Sequence, residues 1–93
     1  QALQGAKKLT TPLLLIQDPQ DPVTTAQYAR ELKNANPNIR YWEAPAVDDN
    51  HPALADVGLW GSHVSAFHLF PEQTTATIVE FVNAQLQSYA NRL

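Results

Sequence analysis

The apolar residues near the start of the chain predict a buried β-strand. Leu13 to Ile16 is an unbroken aliphatic run, which favours a strand covered on both faces, as in a parallel sheet with helices on each side. Pro12 precedes the run, and Pro19 and Pro22 prevent the strand from continuing. Asp21 therefore follows the carboxyl end of the strand closely, where open α/β sheets place their ligand-binding and catalytic groups.

The next pattern predicts a helix. Thr24-Thr25-Ala26-Gln27 has the Thr-x-x-Gln spacing of a capping box. The helix should run to about Asn36, because Pro37 cannot continue a helix and disfavours helical geometry just before itself. The apolar stripe of this helix consists of Tyr28, Ala29, Leu32 and Ala35.

A second strand completes a βαβ unit. Ile39 to Ala44 is rich in aromatic and β-branched residues, stops at Pro45 and alternates in part, as at a sheet edge. Two strands joined by a helix should be parallel, with a right-handed crossover. Both strands then end on the same side of the sheet, so we expect Asp21 and the loop that begins at Pro45 to be neighbours.

Three further segments flank this unit. Gln1 to Thr11 is interpreted as an approach segment, with Lys7 and Lys8 as a solvated pair. Pro45 to Phe70 is a long irregular region that holds all three histidines, and long loops are commonly functional or mobile. Pro71 should begin an amphipathic helix of five to six turns that needs a partner surface. Its apolar residues are Ile78, Val79, Phe81, Val82, Leu86, Tyr89 and Leu93.

Composition limits the class of protein. The chain of 93 residues forms one domain at most, and 6 basic against 9 acidic residues give a net charge of −3. Without a basic cluster, nucleic acid is not expected as the main partner. The apolar runs are too short to predict a membrane span. With no cysteine there is no disulfide or thiolate site, which leaves the compartment open, with the cytoplasm favoured. The chain contains no methionine, so we expect a processed, excised or trimmed piece of a longer protein.

Two kinds of chemistry are compatible with these residues. Asp21 could accept a hydrogen bond from the Nδ1–H of His63, fixing the tautomer of the imidazole and stabilising its protonated form. A turn-capping Asp21 beside a surface His63 is the alternative. A metal site built from acidic residues and one imidazole is also conceivable. Its ligands would be Asp48, Asp49, His51 and Asp56, although the Asp-Asp-Asn-His-Pro run is more typical of a turn.

Several motifs in order resemble the carboxyl-terminal part of an α/β-hydrolase. They are the Pro12–Ile16 strand followed by Asp21-Pro22-Val23-Thr24, the helix with Tyr28-Ala29-Arg30-Glu31-Leu32, a further strand, Gly61-Ser62-His63 and the helix with Ile78-Val79-Glu80-Phe81-Val82. The resemblance extends from about Thr11 to Leu86. Two positions depart from the family: Asp18 stands where a glycine is usual, and the segment between Ala44 and Gly61 is longer.

The resemblance implies roles for two residues. Asp21 and His63 would be the acid and the base of a Ser–His–Asp triad. His68 is the rival for the role of the histidine, but it lies three residues before Pro71. His63 follows the glycine turn and has the separation from the final helix that is usual in the family. We expect His68 to pack in the loop and His51 to lie on the surface. No cofactor is needed for this chemistry.

The nucleophile is absent from these residues. The chain has no Gly-x-Ser-x-Gly elbow, and its serines are Ser62, Ser65 and Ser88. We therefore expect residues 1–93 to be a single partial domain, at the edge of a doubly wound α/β-hydrolase sheet, that is inactive alone. In the parent it would act on a small-molecule ester or acyl substrate, and its open surfaces would meet the rest of the parent fold or a second copy. The alternative is a non-catalytic α/β interaction module.

Overall fold

The computed structural model describes residues 2–21, 24–48, 50–52 and 66–93. The elements in these ranges are α1 (Ala2–Lys8), β1 (Leu14–Gln17), α2 (Ala26–Ala35), β2 (Arg40–Glu43), α3 (Ala66–Leu69) and α4 (Pro71–Asn91).

The two strands form the predicted βαβ unit with α2. They pair in parallel, with Leu14 opposite Arg40 and Ile16 opposite Trp42. The ladder is extended at its far end by the Ala44 N–H, which donates to the Gln17 carbonyl at 2.9 Å. The predicted α/β class and the parallel pairing are therefore confirmed.

Helices lie on both faces of this small sheet. Side chains alternate between the faces of a strand, so Leu14, Ile16 and Trp42 face one way, and Leu15 and Tyr41 the other. A cavity of about 200 Å³ lies between Leu14 and Trp42 and the side chains of α4. A second cavity, of about 230 Å³, lies between the opposite face of the sheet, α1 and α2, and is lined mainly by aliphatic side chains.

The core is built mostly from alanine. The buried apolar residues in the described ranges are Ala6, Ala26, Ala29, Ile39, Ala44 and Ala66. By contrast, large apolar side chains remain exposed along α4. These are Ile78, Val79, Val82, Leu86 and Tyr89, together with Leu93 beyond the end of the helix. The helix predicted from Pro71 is thus present, and most of its apolar stripe is uncovered.

The first segment contains a helix for which the sequence analysis made no prediction. Residues 2–8 of the approach segment form α1. The buried Asn36 satisfies the carboxyl end of this helix, because its Nδ2 donates to the carbonyl of Ala6 at 2.9 Å and to that of Leu9 at 3.0 Å. Its Oδ1 also accepts the Asn38 N–H at 3.0 Å. Because Asn36 lies 30 residues after Ala6, the local sequence around α1 could not predict this cap.

The start of α2 is displaced by one residue from the predicted capping box. The N-cap is Thr25, whose Oγ1 accepts the Tyr28 N–H at 3.4 Å. Thr24 instead belongs to the preceding turn, since its N–H donates to Asp21 and its carbonyl accepts a bond from Gln17. Competition from that turn explains why Thr24 does not cap the helix.

The last described segment begins with α3. Thr74 of α4 is buried and its hydroxyl donates to the Ala66 carbonyl at 3.1 Å, which joins the two helices. His68 lies in α3 with an exposed side chain. The expectation that His68 packs inside a loop is therefore wrong.

Candidate functional site

Asp21 lies in a tight turn beyond the carboxyl end of β1. Its side chain is buried, and its Oδ1 accepts the Thr24 N–H at 3.0 Å. Its own N–H donates to the Asp18 carbonyl at 3.3 Å.

Gln17 holds both ends of this turn. It is the last residue of β1 and is only 5% exposed. Its Nε2 donates to the Asp18 carbonyl at 2.9 Å and to the Thr24 carbonyl at 2.7 Å. Because a buried amide is costly unless it is hydrogen-bonded, these two bonds hold Asp18 and Thr24 against the end of the strand.

A second glutamine joins this turn to the loop after β2. Gln20 Nε2 donates to the Val47 carbonyl at 2.7 Å, and Gln20 Oε1 accepts the Val47 N–H at 2.9 Å. The side-chain amide thus pairs with the backbone much as a neighbouring strand would. The contact confirms the prediction that the Asp21 turn and the loop after Pro45 are neighbours.

His63 lies outside the described residues, as do Gly61 and Ser62. The pairing of His63 with Asp21 therefore stays a prediction. Of the other two histidines, His51 is exposed, as expected, and His68 lies in α3.

The acidic run that could bind a metal is described in part. Asp48 Oδ1 accepts the Asn50 N–H at 2.8 Å, and the Asp48 carbonyl accepts the His51 N–H at 2.9 Å. These bonds form the turn that the Asp-Asp-Asn-His-Pro run indicates. Asp49 and Asp56 lie outside the described residues. Within the described ranges, no group of three or more His, Cys, Asp or Glu side chains is placed to hold a metal ion.

A charged cluster that the sequence did not reveal lies between α2 and β2. The Arg30 guanidinium binds the Glu43 carboxylate through two bonds, from Nε at 3.0 Å and from Nη2 at 2.8 Å. The Tyr41 hydroxyl donates to the same carboxylate at 2.7 Å. These bonds lower the pKa of Glu43, and Glu43 raises the pKa of Arg30.

Tyr41 is the most strongly perturbed member of this cluster. Burial, and then its hydrogen bond to the carboxylate of Glu43, raise the pKa of Tyr41 to about 12. All three groups are engaged with one another, so the cluster can brace α2 against β2. The only sequence signal for the Arg30–Glu43 ion pair was the position of the two residues on consecutive elements of a βαβ unit.

The sequence analysis also predicted no role for Gln17. The available signal was a polar residue directly after four aliphatic ones, at the predicted end of a buried strand. An amide there must find partners or incur a desolvation cost, and the nearby turn provides the carbonyl groups.

No family model, no curated protein and no solved structure matches the chain. Among the described residues, no helix combines the length and the apolar character that crossing a membrane requires.

Proposed function

We propose that this chain is the carboxyl-terminal part of an α/β-hydrolase and provides the acid and the histidine of a catalytic triad. Asp21 would be the acid and His63 the general base. The serine nucleophile, in a Gly-x-Ser-x-Gly elbow, and the oxyanion hole would lie outside these residues. The whole protein would cleave an ester or related acyl bond of a small molecule.

The burial of Asp21 beyond the carboxyl end of a parallel strand is the observation that carries this proposal. Asp21 is 7% exposed, and a buried carboxylate is costly unless it is charge-paired or well hydrogen-bonded. A turn-capping aspartate on the surface has no need of such burial. In open α/β sheets this position is where catalytic groups are placed.

The uncovered surfaces support a place within a larger sheet. Leu14, Leu15 and Ile16 are only half-buried in a sheet of two strands, although an unbroken aliphatic strand is typical of the interior of a parallel sheet. The exposed apolar side chains of α4 likewise need a partner. The rest of the parent fold, or a second copy of this chain, would cover both.

The proposed chemistry follows from the two roles. His63 would remove the proton of the serine hydroxyl as the serine attacks the acyl carbon, and would then protonate the leaving alcohol. Asp21 would hold the Nδ1–H of His63 and stabilise the imidazolium. No cofactor takes part in these steps.

The bond from Thr24 to Asp21 also favours the alternative, a non-catalytic α/β module in which Asp21 only caps a turn. Asp21→Asn separates the two roles. Asparagine keeps an oxygen that can accept the Thr24 N–H, but its amide nitrogen donates, which favours the other tautomer of a neighbouring imidazole.

The test is an NMR measurement of the histidine tautomers at a pH where the imidazoles are neutral. We expect His63 to be the Nδ1–H tautomer in the natural sequence and to lose that preference in Asp21→Asn. The ring-nitrogen shifts of His51 and His68 should not change. Asp18→Asn, at another buried aspartate of the same turn, is the matched control and should leave His63 unaffected. Identical His63 spectra in all three proteins would favour the non-catalytic module.

A further inference from the structure

A buried glutamine at the end of β1 controls the turn that carries Asp21. Gln17 is 5% exposed, and its Nε2 makes bonds to carbonyl groups on both sides of Asp21, those of Asp18 and Thr24. The bond to Thr24, at 2.7 Å, is the shorter of the two and spans seven residues. The end of the strand therefore holds the far side of the turn directly.

Thr24 connects this bond to the carboxylate. Its carbonyl accepts from Gln17, while its N–H donates to Asp21 Oδ1 at 3.0 Å. The peptide groups on the two sides of Thr24 are thus fixed, one by the amide of Gln17 and the other by the carboxylate of Asp21. A shift of Thr24 would consequently shift the hydrogen-bond donor that orients the carboxylate.

We propose that Gln17 is a positioning residue for Asp21: its amide holds Thr24 in place, and Thr24 in turn fixes the orientation of the carboxylate. The catalytic consequence rests on the proposed role of Asp21 as the acid of a triad. Displacing a group by about 1 Å in such a site can lower the rate about 100-fold. Gln17 does not itself need to touch substrate or His63.

The natural protein offers a direct probe of this geometry. Because the Thr24 N–H donates to the carboxylate of Asp21, its amide proton resonance should follow the ionisation of Asp21 as the pH changes. We expect Gln17→Met, which has a similar length but no amide, to remove most of that pH dependence. Gln20→Met is the matched control, since it removes the other glutamine amide of the turn, which binds Val47, and should retain the response.

Unchanged amide resonances in α2 and β2 show that a variant is folded. If Gln17→Met does not fold, Gln17→Leu is the second variant, because leucine also lacks a hydrogen-bond donor and does not titrate. A Thr24 resonance that responds to pH in the folded Gln17 variant as it does in the natural sequence would overturn the proposal. Loss of the response in the Gln17 variant but not in Gln20→Met supports it.

The His63 tautomer separates this proposal from the function on which it rests. If Gln17→Met alters both the Thr24 response and the tautomer of His63, the positioning role and the triad are both supported. If the Thr24 response is lost while His63 is insensitive to Asp21→Asn, Gln17 still positions Asp21, but the proposed triad fails.

Discussion

Asn36→Asp should destabilise the chain through the cap of α1. Aspartate has the same shape as asparagine and can still accept the Asn38 N–H at Oδ1. It cannot, when ionised, donate the two bonds that Asn36 Nδ2 makes to the carbonyls of Ala6 and Leu9. The substitution therefore replaces two attractive contacts with a negative charge facing two carbonyl oxygens.

The magnitude follows from these contacts. Each lost hydrogen bond costs about 0.5–1.5 kcal/mol net. A negative charge at the carboxyl end of a helix adds about 0.3–1 kcal/mol. Together these terms predict a loss of about 1.3–4 kcal/mol at this buried site, where Asn36 is 7% exposed. That is a large part of the total of about 5–15 kcal/mol expected for a domain of this size.

Urea unfolding at neutral pH measures the effect. Asn34→Asp is the matched control, because it adds the same charge near the carboxyl end of α2 at an exposed position, and should cost less than about 1 kcal/mol. Amide exchange should show that α1 is the first element to lose protection in Asn36→Asp. Equal losses in the two variants, or a loss below about 1 kcal/mol in Asn36→Asp, would refute the argument.

Three further predictions concern other parts of the molecule. The pKa of Tyr41 is raised to about 12, so Tyr41 stabilises the fold below pH 10, and this contribution should disappear as the pH rises from about 10, the ordinary pKa, through 12. In Glu43→Gln, the ultraviolet titration of the Tyr41 phenol should move to lower pH. An unchanged midpoint would contradict the role of the carboxylate. In sedimentation, the chain should self-associate through the apolar side chains of α4, and Leu86→Glu should weaken that association more than Gln87→Glu; a monomer at high concentration would count against it. The isolated chain should show no significant ester turnover, and activity that His63→Ala abolishes would disprove this.

The local pattern of the sequence was enough to predict the βαβ unit. The aliphatic run at Leu13–Ile16 and the prolines that follow it mark a strand whatever surrounds them, because an unbroken apolar strand needs cover on both faces. Pro37 and Pro71 likewise mark helix ends through the fixed geometry of their rings. Each of these constraints acts within a few residues, so each can be recognised without knowing the fold.

For the candidate site, the sequence predicted where Asp21 lies but not the hydrogen bonds around it. The sequence located Asp21 just beyond the end of a strand, and parallel topology brought its turn beside the loop after Pro45. It did not reveal that the Thr24 N–H would donate to the carboxylate, or that Gln17 would bind the Thr24 carbonyl. Those partners depend on the exact path of the turn, which many sequences with the same polar pattern could follow differently.

The class of fold and the order of β1, α2, β2 and α4 could therefore be read from the sequence, because they follow from hydrophobic periodicity and from the backbone restrictions of proline. The helices α1 and α3, and the polar groups that meet across long separations, became known only from the folded structure. Asn36 caps a helix 30 residues earlier, Arg30 binds Glu43 on the next strand, and Gln20 pairs with Val47 across two loops. A hydrogen bond requires distance and angle to be satisfied together, and those are set by the packing of whole elements rather than by any local run of residues.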